Sequence, residues 1–200
     1  MEGTNPVNKK LTAALSGGAV LVLALTGCSS DEGNKELDAW AKRICDAAPA
    51  QNAKIAAADA AITKAAKDSP PKELQKVDAQ AFQDLSEGFK ARATLLEDAG
   101  APPGVDDGAK NQKDAIKKLT ALSATYADLK KQMDGLNTKD QGKFASGLSE
   151  VSDEMKDVVS QRKSALDALK KLEASGDTKQ ALLGQEGCKQ ATASASATDS

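Results

Sequence analysis

The chain has no histidine. That absence removes Ser–His and Cys–His nucleophile pairs, histidine-ligated haem, the HExxH zinc site and the Glu-x-x-His di-iron bundle. Aromatic side chains are scarce, with only Trp40, Phe82, Phe89, Tyr126 and Phe144. Sites that stack sugars or bases usually gather several rings, so five spread along the chain argue against that chemistry. No glycine loop of the phosphate-binding kind is present. The net charge of −2 makes no electrostatic case for nucleic acid. No stretch alternates with period two for long enough to form a strand. The longest apolar run is shorter than the ~20 residues that span a bilayer.

That run, Leu11 to Leu25, is informative for its position. It follows Lys9 and Lys10 and ends in Leu25-Thr26-Gly27-Cys28. A basic segment, an apolar segment of about 15 residues, small residues and a cysteine form a bacterial lipoprotein signal. We expect residues 1–27 to be a signal peptide cleaved between Gly27 and Cys28. Cys28 then carries a covalent diacylglycerol, whose two acyl chains anchor stably where one is marginal. The protein is accordingly expected on the extracytoplasmic face of the cell membrane, lipid-anchored, with no other cofactor. Met1 to Pro6 adds Glu2 and Pro6 to a segment that should be short and basic, so translation is expected to start at Val7. Recovery of precursor peptides covering Glu2 to Pro6 would refute that start.

The remaining chain has single-domain length and is rich in alanine, lysine, leucine, aspartate and glutamate, a composition of long helices. Residues 28–34 are polar and aperiodic and read as a flexible tether reaching at most roughly 20 Å. Residues 35–190 read as a helical bundle and residues 191–200 as a disordered tail of small polar residues. Helix one is expected from Lys35 to Lys67, with a kink or break at Pro49, because proline removes one i→i−4 bond and crowds the preceding turn. Ser69 should cap helix two, with Pro70 at its first position and Gly100 at its end. In helix two the stem of Arg92 lies on the apolar stripe with its head expected in water. Helix three is expected from Val105 to Asp134, with Asp106 and Asp107 in its first turn and Lys130 and Lys131 in its last. Helix four should start at a capping box of Thr138 and Gln141 and run to Ser175. A short helix capped by Asp177 leads to Cys188. The fold class is all-α: an antiparallel bundle of four long amphipathic helices plus a short C-terminal helix.

Cys45 and Cys188 are left after lipidation, outside the cytoplasm, where disulfides persist. Their bridge would close a loop of most of the domain, which the chain-entropy account rates at about 5 kcal/mol. Other candidates have ordinary explanations. Ser160-Gln161-Arg162-Lys163 and Ser69-Pro70-Pro71-Lys72 match the S-x-x-K acylation motif, but two fixed positions in four match by chance often, and no K-T-G accompanies them. Glu150, Asp153, Glu154 and Asp157 line one helix face, as a cation or docking site would; a solvated face is the simpler reading. Lys110, Lys113, Lys117 and Lys118 form a basic cluster able to meet anionic lipid or wall polymer, again read as solvated. Trp40, on an apolar stripe beside Cys45, reads as a core anchor before a ligand platform.

The chain resembles the uncharacterised small secreted lipoproteins of actinobacteria. The resembling segments are Leu25 to Asp31, Leu37-Asp38-Ala39-Trp40-Ala41-Lys42 leading to Cys45-Asp46, Ala101-Pro102-Pro103, Asp106-Asp107-Gly108, Tyr126 to Lys131, and Gly187-Cys188 before a Ser/Ala tail. The resemblance implies an exported, lipid-anchored helical protein and carries no activity. The expected function is a non-enzymatic envelope protein that binds another protein or a wall component, with the membrane met through the lipid. The alternative is a small-molecule-binding lipoprotein with a pocket near Trp40, Phe82, Phe89, Phe144 or Tyr126.

Overall fold

A computed structural model describes residues 30–65 and 69–190. The signal peptide, Gly27, Cys28, the start at Val7, the end of helix one at Lys67 and the tail of residues 191–200 lie outside the described residues. Five helices follow in order: α1 Ser30–Ala65, α2 Pro71–Ala99, α3 Gly108–Gly135, α4 Gln141–Glu173 and α5 Thr178–Gly184, then a last helical turn at 186–190. Among the described residues there is no strand. No helix among them is long and apolar enough to cross a membrane.

The four long helices run up and down. Trp40 meets Gly100 and Lys54 meets Glu87, so α1 and α2 are antiparallel. Gln75 meets Met133 and Ser86 meets Ser123, which sets α3 against α2. Asn111 meets Ser175 and Gln132 meets Glu154, which sets α4 against α3. The main packing is α1 on α2, α2 on α3 and α3 on α4, with α5 across α1 and α4; α1 and α4 have no comparable contact.

One buried cluster joins Phe82, Leu85 and Phe89 of α2 to Leu119, Leu122, Tyr126, Leu129 and Met133 of α3, with Val158, Ala165 and Leu172 of α4 beside them. Leu85, Leu119, Leu122 and Leu129 are wholly buried. Small residues let the helices close. The hydroxyls of Ser86 and Ser123 each donate to the other's backbone carbonyl at 2.8 Å. Ile55 of α1 sits over Gly88 of α2, where a Cβ would lie 2.8 Å from its Cγ1.

The helix ends differ from the sequence expectations in instructive ways. α1 begins at Ser30, so residues 30–34, expected as part of a flexible tether, are helical. It also runs through Pro49 without a break. One lost hydrogen bond is a local cost, while packing on α2 continues on both sides of the proline, at Trp40 and at Ile55. Pro70, not Ser69, is the N-cap of α2, with Pro71 at the first helical position. The Pro70 carbonyl accepts from the Glu73 and Leu74 amides, both at 2.9 Å.

α3 starts at Gly108, three residues late, because Asp107 adopts a left-handed conformation at φ 58°. Asp106 and Asp107 therefore precede the helix, and Lys130 and Lys131 lie before its final turn, paired with Asp134 and Asp128. Asp140 caps α4, accepting from the Lys143 amide at 3.0 Å. Thr138 lies outside the helix, so the expected capping box does not form. α4 ends at Glu173 and not at Ser175. Asp177 occupies the N-cap position of α5 without a side-chain bond.

Two buried-facing amides finish the long helices in place of charged side chains. The last carbonyls of a helix lack intrahelical partners. Gln112 of α3 donates to the carbonyls of Leu96 and Gly100, at 2.6 Å for the latter, and Trp40 Nε1 donates to Gly100 at 2.7 Å. At the opposite end, Gln75 of α2 donates to the carbonyls of Met133 and Leu136, both at 2.9 Å.

Candidate binding site

The seam between α1 and α4 is unlike the other three. On its α1 side stand Ala48, Gln51 and Asn52, too short or too polar to fill it. On its α4 side stand Leu169, Leu172 and Glu173, and Leu95 and Leu96 of α2 form the floor. The result is a groove of about 360 Å³. That lies toward the lower end of the ~300–1,000 Å³ typical of small-molecule sites. Ile44, Trp40, Leu182, Leu183 and Cys188 line the end where α5 crosses. A second hollow of about 220 Å³ continues along the seam and shares Arg92 and Leu169 with the first.

The α5 end is held by the disulfide. The sulfurs of Cys45 and Cys188 stand 1.96 Å apart across 143 positions of sequence. Gly187 makes the approach possible: a Cβ there would lie 2.2 Å from the Cys45 carbonyl oxygen, a backbone atom that cannot yield. The far end is held by an ion pair. Arg162 of α4 donates twice to Asp59 of α1, Nη1 to Oδ1 at 2.8 Å and Nη2 to Oδ2 at 2.7 Å. This fork-to-fork geometry sets distance and orientation together. Hydrogen bonding to Asp59 raises the Arg162 pKa above its ordinary value.

Between these ends lies Arg92. The sequence placed its head in water; the side chain is half-buried, with the head turned into the seam. There Nη2 donates to Asn52 Oδ1, and Cζ stands 5.9 Å from the centre of the Phe89 ring. Arg162 Cζ stands 5.4 Å from the same ring, which stacks in turn on Tyr126 at 5.7 Å and 6°. Both cations gain from the ring quadrupole. Arg162 has a carboxylate; Arg92 has none within ion-pair distance among the described residues. Burial lowers the Arg92 pKa, and the charge of Arg162 lowers it further. Behind them the Tyr126 hydroxyl is buried without a hydrogen-bond partner among the described residues, and burial pushes its pKa up to about 12. Arg162 acts on it electrostatically and opposes that rise.

Trp40 is wholly buried and hydrogen-bonded to Gly100, as a core anchor is, and it borders the groove. Phe89 lines the second hollow, whereas Phe82, Phe144 and Tyr126 are packed in the interior. The other candidates stand apart from the groove. Glu150, Asp153, Glu154 and Asp157 are exposed, with Asp153 paired to Lys156 and Glu154 accepting from Gln132. No group of three acidic or thiol side chains among the described residues is arranged to hold a metal ion. Lys110, Lys113 and Lys117 are exposed, and Lys118 pairs with Asp114 at 3.0 Å. Ser160 and Lys163 are exposed on α4, Lys163 at the second hollow, and Ser69 stands in the link before α2.

Sequence reasoning missed Arg92 and Asn52. A single arginine on an otherwise apolar stripe was visible, and so was the asparagine on the facing helix. Their meeting needs the α1–α2 register. The chain matches no protein-family model, no curated protein and no solved structure.

Proposed function

We propose that this is an exported, non-enzymatic binding protein, held on the extracytoplasmic face of the cell membrane by the diacylglycerol on Cys28, and that it binds a small ligand in the groove between α1 and α4. The carrying observation is the groove: apolar walls, a half-buried arginine at its middle, and both ends tied. Its size lies within the range of small-molecule sites, which supports the small-molecule alternative over the expected protein or wall partner. The lipoprotein signal and the resemblance to small secreted actinobacterial lipoproteins support the location. Metabolic labelling with radioactive palmitate tests the anchor. Label on the protein, lost with Cys28→Ser together with membrane retention, is the expected result; label that persists in Cys28→Ser refutes it. Native mass spectrometry of the exported protein tests the binding role. A small molecule released by Leu96→Trp, which fills the groove, is expected; enzymatic turnover by the purified protein would overturn the reading.

A further inference from the structure

Resting on that reading of the groove, we infer that its ligand is an anionic amphiphile: a single acyl or alkyl chain bearing a carboxylate or phosphate head, with the chain against the α5 end and the head on Arg92. Three separate observations converge on this chemistry.

The first is the lining. Trp40, Ile44, Leu95, Leu96, Leu172 and Leu182 present hydrocarbon along the groove, which suits a flexible chain. The second is the cation. A guanidinium moved out of water is stabilised by a carboxylate or phosphate oxygen, and its planar fork matches either head. Arg92 has met only the neutral Asn52 amide and the Phe89 face. Arg162 cannot substitute, because Asp59 already takes both of its Nη groups. The Arg162 charge, offset in part by Asp59, adds to that of Arg92, which favours an anion over a cation. The third is the rim. The large hydrophobic side chains exposed among the described residues are Val159, Leu166 and Leu183. Leu183 lines the groove and Leu166 the adjoining hollow, while Val159 lines neither. Two of the three exposed side chains therefore stand where an apolar ligand would cover them.

The polarity also runs one way. The carboxylate lining the groove is Glu173, at the end of α4 beside α5. It stands about two turns, or roughly 10 Å, beyond Leu166 along the helix. An anionic head is therefore repelled from the α5 end and drawn to Arg92, which orients the chain.

Trp40 is the chain's single tryptophan and a wall of the groove, so its fluorescence reports occupancy. The exported protein carrying Cys28→Ser, free of its own acyl groups, is titrated with decanoate, decyl phosphate, decanol and decyltrimethylammonium, each below its micellar concentration. The expected result is saturable binding of decanoate and decyl phosphate at least about ten-fold tighter than decanol, with the cation weaker still. The tighter of the two anions identifies a fatty-acid or a phosphoryl-lipid head. Arg92→Gln should weaken the anions about ten-fold and leave decanol within about two-fold. Asn52→Asp keeps Arg92 and its packing but gives it a carboxylate, and should weaken the anions in the same direction. Equal affinity for all four heads, or anion affinity unmoved in both variants, overturns the inference while leaving the groove as a ligand site. Absence of binding by any of the four overturns the small-ligand reading as well.

Discussion

The α2–α3 seam and the α1–α4 seam are built by the same kind of amphipathic helix and end in opposite states. Between α2 and α3, Leu85, Leu119, Leu122 and Leu129 are sealed from solvent, and the Ser86–Ser123 exchange of hydrogen bonds lets the backbones close up. Between α1 and α4 the side chains are Ala48, Gln51 and Asn52 against Leu166 and Leu169, and a groove is left. The difference lies in how each gap is bridged. The closed seam is filled along its length, and buried area rewards every residue. The open seam is spanned at two points, by Arg162–Asp59 and by α5 with its disulfide. A bundle whose first and last helices are held apart by fixed struts keeps a cleft without losing its core.

That contrast can be broken most forcefully from the closed side. Leu122→Ala should cost roughly 3–5 kcal/mol, because the cavity left among fully buried neighbours relaxes only in part. Leu166→Ala, on the open seam, should change stability by less than about 0.5 kcal/mol. Chemical denaturation of the two variants measures the gap; similar losses would mean that the α1–α4 seam is packed like the others. Cys188→Ala removes the strut at the α5 end and should cost about 2–4 kcal/mol. Gly187→Ala should give the same phenotype through a backbone collision, with thiols at Cys45 and Cys188 that react with alkylating reagents. Unreactive thiols in Gly187→Ala would show that the crossing tolerates a Cβ.

Asp78 sharpens the comparison through pH. Its side chain is buried with Oδ1 unpartnered, and burial pushes its pKa from 3.8 up to about 6. The folded state thus holds this proton more tightly than the unfolded chain does. Its contribution to stability is present below the unfolded pKa and falls as pH rises from about 4 to about 6. Asp78→Asn should flatten that slope and add about 1–2 kcal/mol at pH 7, measured by denaturation across that window. A slope unchanged in Asp78→Asn would assign the effect to another group. A smaller effect than these belongs to the other strut. Arg162→Gln breaks a part-exposed pair and should cost only about 0.5–1 kcal/mol, yet it should speed hydrogen exchange in α1 and α4 around Asp59 and leave α2 and α3 unchanged.

Much of this architecture was readable before any coordinates. The three- and four-residue spacing that runs through Phe82, Leu85 and Phe89, and again through Leu119, Leu122, Tyr126 and Leu129, placed α2 and α3 with their buried faces, and α2 ends at Ala99 before Gly100 as expected. The pairing of Cys45 with Cys188 followed from their number and the expected export, and the sulfurs meet. The helix starts were harder. Ser69, Thr138 and Asp106 all carry plausible capping chemistry, but Pro70, Asp140 and the left-handed Asp107 decide the boundaries, because which residue turns the chain depends on where the next helix must dock. At Pro49 the helix does not break: the local cost is outweighed by packing that extends along both halves of α1.

The sequence by itself determined the elements. Periodicity chooses helix, length and short links choose an up-and-down bundle, and the missing histidine closes whole classes of chemistry. Those properties are local, set within a few residues along the chain. Only the tertiary structure decided which faces seal and which stay apart. Arg92 and Asn52 are neighbours because α1 and α2 stand in one register, and Arg162 reaches Asp59 across 103 positions because α4 returns to α1 at one height. A side chain's partner, and so its charge state and its use, is a property of the space between helices.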